Sequence, residues 1–220
     1  MQALWAIIPL VVKKQRDNPL IFAVGYNYVA VCVAQAFWTV AFSLEIIWAS
    51  LICMLIILFF LWRIVWCTSE TNTPYKGSLA NYILWRFPFA IHAGWITAAS
   101  FVNANVLLVD LQVEADLQFY AALASLFLIL VIATTTTISL DLTIPLVLAW
   151  ALFGVFAELS DPEESIEETF SQTQMETALW GSLVFAILIA FGFLTGLLWQ
   201  CCRKRPSVGE DDRSAYLRAD

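Results

Sequence analysis

The sequence predicts an all-α protein, a polytopic transmembrane helical bundle of six spans with the remnant of a seventh at the N-terminus. Three observations predict it. Hydrophobic residues make up 61% of the chain and charged residues only 13%, about half the roughly 25% charge of a soluble domain. Charge-free runs at 18–44, 46–62, 87–109, 117–140, 142–157 and 177–202 are each close to or above the ~20 apolar residues that a spanning helix needs. Finally, six spans place all eleven Lys and Arg residues on one side of the bilayer, the separation that the positive-inside rule requires.

The first twelve residues stand apart. Residues 3–12 are apolar but too short to cross, and Lys13, Lys14 and Arg16 follow them directly. They read as the tail of a span whose beginning lies upstream, with an interfacial segment as the alternative. No basic region precedes them, so they do not resemble a signal peptide.

The runs that follow are apolar nearly all round, without the polar stripe at 3.6-residue period of a soluble helix. On the first span, Asn27, Gln35 and Trp38 fall on one face at 100° per residue. The loop after the second span carries Arg63, Lys76 and Arg86. The third span is the most informative: Pro88, His92, Trp95, Ala99 and Asn103 lie within about 80° of one another. Polar side chains inside a membrane face the bundle or a cavity. Two polar, aromatic stripes facing each other would make a pocket of the kind small molecules occupy. The plainer account is interhelical bonding, at about 0.6–2 kcal/mol for each contact; it is the better reading for Ser100 and Asn27, while His92, Trp95 and Asn103 fit either.

The fifth run ends in an acidic outer loop, 159–176. Its opening Ser160, Asp161, Pro162, Glu163, Glu164 predicts a short helix with Ser or Asp as cap and Pro in the first turn. Ile166 and Phe170 would form its apolar edge. The carboxylates lack the spacing of a calcium loop and form a solvated face. The last span, 177–202, leaves the bilayer at Cys201 and Cys202, candidates for S-palmitoylation. A charged tail, 203–220, opens with Arg203, Lys204 and Arg205, a stop-transfer anchor attractive to anionic lipid. The basic side, tail included, is expected to face the cytoplasm or its equivalent.

Ten tryptophans are mostly an interfacial belt: Trp62, Trp66, Trp85 and Trp199 on the basic side, Trp38, Trp48 and Trp180 on the acidic side. Trp95 and Trp150 are too deep for it, and a mid-membrane indole N–H wants a partner, so both are expected to face other helices or a ligand.

Several functions are disfavoured. The basic residues form no patch with interleaved aromatics, so nucleic acid is not expected as a partner. Five cysteines offer neither a disulfide framework nor a zinc motif, and no metal site is expected. His92 is the sole histidine, without an evident second ligand or acid partner. No carboxylate sits mid-span, against a proton-coupled pump. No nucleophile with its base and no phosphate loop points to an enzyme, and no catalytic residue is assigned.

The third span resembles the TspO/translocator-protein family, the tryptophan-rich sensory proteins. The signature is a Pro before an aromatic-rich span, then Trp followed eight residues later by Asn: Pro88, Trp95 and Asn103 here. It is similar to the larger, divergent branch, in which the Pro precedes the Trp by seven residues. The family's Asn-x-x-Trp-x-x-x-Phe resembles Gln35, Trp38 and Phe42, with Gln in place of Asn, and the segment from Trp150 to Gly154 resembles a late-span motif. The resemblance covers roughly residues 8–158, a TspO-like bundle over 1–158, and leaves the acidic loop and the last span as additions. It implies a bundle that binds a hydrophobic planar ligand, a porphyrin or haem-type tetrapyrrole or a sterol, in a pocket lined by His92, Trp95, Asn103, Gln35, Trp38, Asn27 and Trp150. Other readings are an accessory structural subunit of a larger membrane complex and a small-solute transporter. A homo-oligomer or membrane-complex partners are compatible with each. An accessory subunit would turn its aromatic stripes outward, whereas a binder would fold them into a closed pocket.

Overall fold

The computed structural model describes residues 19–68, 82–139 and 141–203, all helical apart from short turns. The expected span remnant at 3–12 and the tail beyond Arg203 lie outside them.

Helix α1, Pro19–Ser43, and α2, Ile47–Cys67, form the first hairpin. Proline suits a first helical turn because its φ is already helical. α1 kinks at Gly25, where φ 38° and ψ −135° are open to a residue without a Cβ. The hairpin turn closes with a bond from Ile46 N to Ala41 O at 2.9 Å across Glu45, at φ 57°. This is the six-to-one closure of a Schellman motif. α2 runs past the charge-free stretch to Cys67, carrying Arg63 on an exposed face; a long basic side chain can reach the interface from inside a span.

A π-helical turn, Tyr82–Arg86, leads into α3, Phe87–Asp110, with Pro88 in its first turn. α3 turns into α4, Ala115–Ile138, by the same closure: Val113 N bonds Leu108 O at 3.1 Å across Gln112, at φ 52°. Helix α5, Thr143–Leu159, is shorter, at 17 residues. The short helix α6 covers Glu164–Thr169, and α7, Gln172–Arg203, runs 32 residues.

Among the described residues five helices are long and apolar enough to cross a membrane, and α5 adds a shorter apolar one. At 1.5 Å per residue α5 reaches about 26 Å, near the ~30 Å hydrocarbon thickness. The protein is an all-α polytopic membrane bundle.

The acidic loop differs from expectation at its start. α6 begins at Glu164, so Pro162 precedes it rather than filling its first turn. The reason is local: Ser160 Oγ donates back to Phe156 O at 2.7 Å and Asp161 N to Glu158 O, so the expected cap closes α5 instead. α7 also starts five residues before the apolar run. Ser171 and Gln174 form a capping box there: Ser171 N donates to Gln174 Oε1 at 3.0 Å, and Gln174 N to Ser171 Oγ at 3.3 Å.

α3 and α5 hold the bundle together. α1 packs chiefly on α2, α2 on α3, and α3 on α4 and α5, while α7 closes against α5 and α4. Ile144, Leu148 and Leu152 recur every fourth residue along α5 and are fully buried, the periodicity of one helix face. Gly94 on α3 lets α5 approach closely, since a Cβ there would stand 3.0 Å from that of Val147.

Candidate functional site

The polar side chains of α3 point in several directions. Asn103 is buried and donates from Nδ2 to Ser50 Oγ on α2 at 3.1 Å; that hydroxyl donates onward to Ile47 O at 2.8 Å. One turn and a half earlier, Thr97 Oγ1 accepts from Trp62 Nε1 at 3.1 Å and donates to Ala93 O. Trp62 therefore faces α3, not the interfacial belt the sequence suggested: its indole finds a buried acceptor that the headgroup region would otherwise supply. Asn105 Nδ2 reaches Ser125 Oγ on α4 at 2.9 Å, and Ser100 bonds its own helix at Ile96 O. These are interhelical and intrahelical bonds of the plain kind.

Trp95 behaves differently. It is 47% exposed, and its ring meets that of Trp150 on α5, itself 64% exposed, with centroids 5.3 Å apart at 36°. Trp95 is the ninth of the 24 residues of α3, and Trp150 the eighth of the 17 of α5, so the pair sits at mid-depth. Both rings therefore face a neighbouring helix, yet they also open onto the outer surface of the bundle. Phe153, one turn along α5, is exposed as well and touches Phe156, which touches Trp180 on α7. His92 lies one turn before Trp95 and is half-buried.

The α1 residues form a separate locus. Gln35 and Trp38 are half-buried, and Trp38 stacks on Phe42 at 5.2 Å. Gln35 Oε1 and Trp38 Nε1 are buried without a hydrogen-bond partner. Asn27 is half-buried and engaged. Among the described residues no hydrogen bond or ring contact joins Gln35 or Trp38 to His92, Trp95 or Asn103; the one ring contact from α1 to α3 is Tyr28 on Phe89, edge-on at 5.4 Å. Among those residues there is also no group of three His, Cys, Asp or Glu side chains able to hold a metal ion. Trp48, Trp66, Trp180 and Trp199 are exposed, as a belt requires, and Cys202 is exposed at the end of α7. The side chains of Trp85 and Cys201 lie outside the described residues.

One cluster was not anticipated. Arg86, at the foot of α3, pairs with Asp141 at 2.7 Å, the two side chains only 13% and 5% exposed. Arg86 also donates to Val65 O at 3.2 Å, and Tyr82 OH bonds Thr143 Oγ1. Asp141 Oδ1 accepts from Thr143 N at 3.1 Å, so the carboxylate sits at the positive end of α5. The cluster ties the ends of α2, α3 and α5 together. Its signal in the sequence is a single Asp between two charge-free runs, too close to both to reach open water.

A family model described as TSPO-like protein matches residues 1–195. The match runs beyond the 8–158 that the motifs cover, through the acidic segment and most of α7. No curated protein and no solved structure matches the chain.

Proposed function

The chain belongs to the TSPO-like protein family, and on that premise we propose that it binds a hydrophobic planar ligand, a tetrapyrrole or a sterol, within the membrane. The observation that carries this reading is the contact of Trp95 with Trp150. Two large rings meet at mid-depth, half-open, at a level where hydrocarbon offers no acceptor to an indole N–H. A flat ligand laid on them would replace lipid with stacking area and bring its own acceptors. His92, one turn away, adds a polar contact at the same edge. The basic side, with the C-terminal tail, faces the cytoplasm or its equivalent in this reading.

The test is titration of the purified protein with a porphyrin and, separately, with a sterol. Trp95→Phe keeps a ring but removes the indole N–H and some stacking, worth about 1 kcal/mol, so affinity should fall about fivefold while the melting point moves little. Unchanged affinity would remove Trp95 from any site.

The outward set of the same rings favours a second reading, a docking face for another subunit of a membrane complex. Trp150, Phe153 and Trp180 are exposed along one edge, as an accessory subunit would present them. On that reading Trp95→Phe leaves porphyrin and sterol binding alone and loosens the chain's migration with larger assemblies on native gels.

A further inference from the structure

We propose that the outer groove between α1 and α2 holds one acyl chain of an anionic phospholipid, whose phosphate is met by Arg63 at the groove's basic-side end. The groove has a volume of about 460 Å³ and runs from Tyr26 to Phe37 on α1, with Cys53 and Ile56 of α2 as its other wall. That is about 16 Å at 1.5 Å per residue. It starts two residues inside the apolar span Val24–Ser43 and covers about half of the ~30 Å hydrocarbon core, the share of one leaflet.

The walls select hydrocarbon. Ala34 is buried and Ala30 half-buried, and their small side chains form the floor. Among the lining residues only the Tyr26 hydroxyl and the Cys53 thiol are polar. Tyr26, 91% exposed, stands at the basic-side end, where an amphipathic ring is at home. Cys53 lies six residues from the start of α2 and Phe37 six from the end of α1, so the thiol belongs to the inner end. Between the two ends the groove offers carbon alone.

Charge then selects the headgroup. Arg63 is exposed and follows Ile56 by seven residues, two helical turns, so it continues the α2 wall. It lies sixteen residues from the start of α2, and Tyr26 seventeen from the end of α1. The two helices run back from a shared turn, so these residues stand at one level. Among the described residues the one ion pair joins Arg86 to Asp141, which leaves Arg63 without a carboxylate there. A second copy of the chain would bring none either: Asp141 is the one acid described on the basic side, and it is buried and engaged. Trp66, 73% exposed, follows Arg63 by about one turn and suits the headgroup level. A guanidinium can lay its stem along a span while its head reaches the interface, and it holds phosphate through paired hydrogen bonds. A chain in the groove would bring its phosphate to Arg63.

Photo-crosslinking of the full chain tests this, in phosphatidylcholine vesicles with a trace of phosphatidylglycerol or phosphatidylcholine that carries a diazirine on one acyl chain. Crosslinks mapped by peptide mass spectrometry should fall on residues 26–37 and 53–56, with about fivefold higher yield for phosphatidylglycerol. Arg63→Gln should erase that preference and leave the phosphatidylcholine yield unchanged. Ala30→Leu should fill the groove and lower both yields about fivefold; Cys53→Phe fills it from the other wall should the first variant not fold. Equal yields for the two lipids in the wild-type chain, a preference that survives Arg63→Gln, or undiminished crosslinks in the filled variants would overturn the proposal. Yields that fall as the density of protein in the vesicle rises would overturn it too, by giving the groove to a second copy of the chain.

Discussion

At the start of α5 each carboxylate oxygen of Asp141 has a donor, Arg86 on one and the Thr143 and Ile144 amides on the other. On α1, Gln35 Oε1 and Trp38 Nε1 are equally hidden and meet nothing. The contrast follows from packing. Asp141 lies where the ends of three helices converge, so donors arrive from several directions. α1 packs chiefly on α2, and a helix with one main neighbour has few partners to offer a polar atom. Full satisfaction marks a joint that holds the bundle; the orphaned atoms mark a place where a water or a ligand group would gain most. An unpaired buried donor or acceptor costs about 1–3 kcal/mol.

The largest expected effect breaks the satisfied side. Asp141→Ala leaves the Arg86 guanidinium buried without its carboxylate, and such a loss costs about 3–5 kcal/mol. Thermal unfolding in detergent should show it as a clear drop. Replacing Arg86 and Asp141 together by Leu should cost less than Asp141→Ala alone, because no charge is then stranded. A double variant as damaged as the single one would show that the joint works through packing and not through charge.

An intermediate effect is expected at Asn103 and Ser50. A double-mutant cycle of Asn103→Ala and Ser50→Ala should give a coupling of about 0.6–2 kcal/mol, the range for interhelical bonds in membranes. A coupling indistinguishable from zero would show that the bond between Asn103 and Ser50 does not hold α2 to α3.

The smallest effect sharpens the other side of the comparison. Gln35→Leu removes an unsatisfied acceptor and keeps most of the volume, so stability should hold or rise by up to about 1 kcal/mol. Destabilisation beyond about 2 kcal/mol would mean that Gln35 has a bonding partner, and the contrast with Asp141 would disappear.

Much of the fold was legible because a bilayer imposes length and polarity on a helix. The charge-free runs found α1, α3, α4 and α5 to within a few residues. They ended α2 early at Arg63 and began α7 late at Thr177, because a helix does not stop where charge begins: an interfacial residue can carry charge and stay helical. The kink at Gly25 was not legible, since glycine inside a span is equally at home in a straight helix. Trp62 was placed in the headgroup belt because its partner on α3 could not be read from the sequence. Depth along a span can be counted in the sequence, but which neighbour a face meets cannot.

Sequence alone thus determined that this chain lives in a membrane, which segments cross it, and which residues are too polar or too deep for lipid without a reason. Those properties depend on the transfer of single side chains between water and hydrocarbon, which is local. Tertiary structure alone decided that Asn103 bonds Ser50, that Trp95 leans on Trp150 at the outer surface, and that Asp141 anchors Arg86. Each depends on the azimuth and spacing of two helices, set by the packing of many small contacts, such as Val147 against Gly94, that no single segment contains.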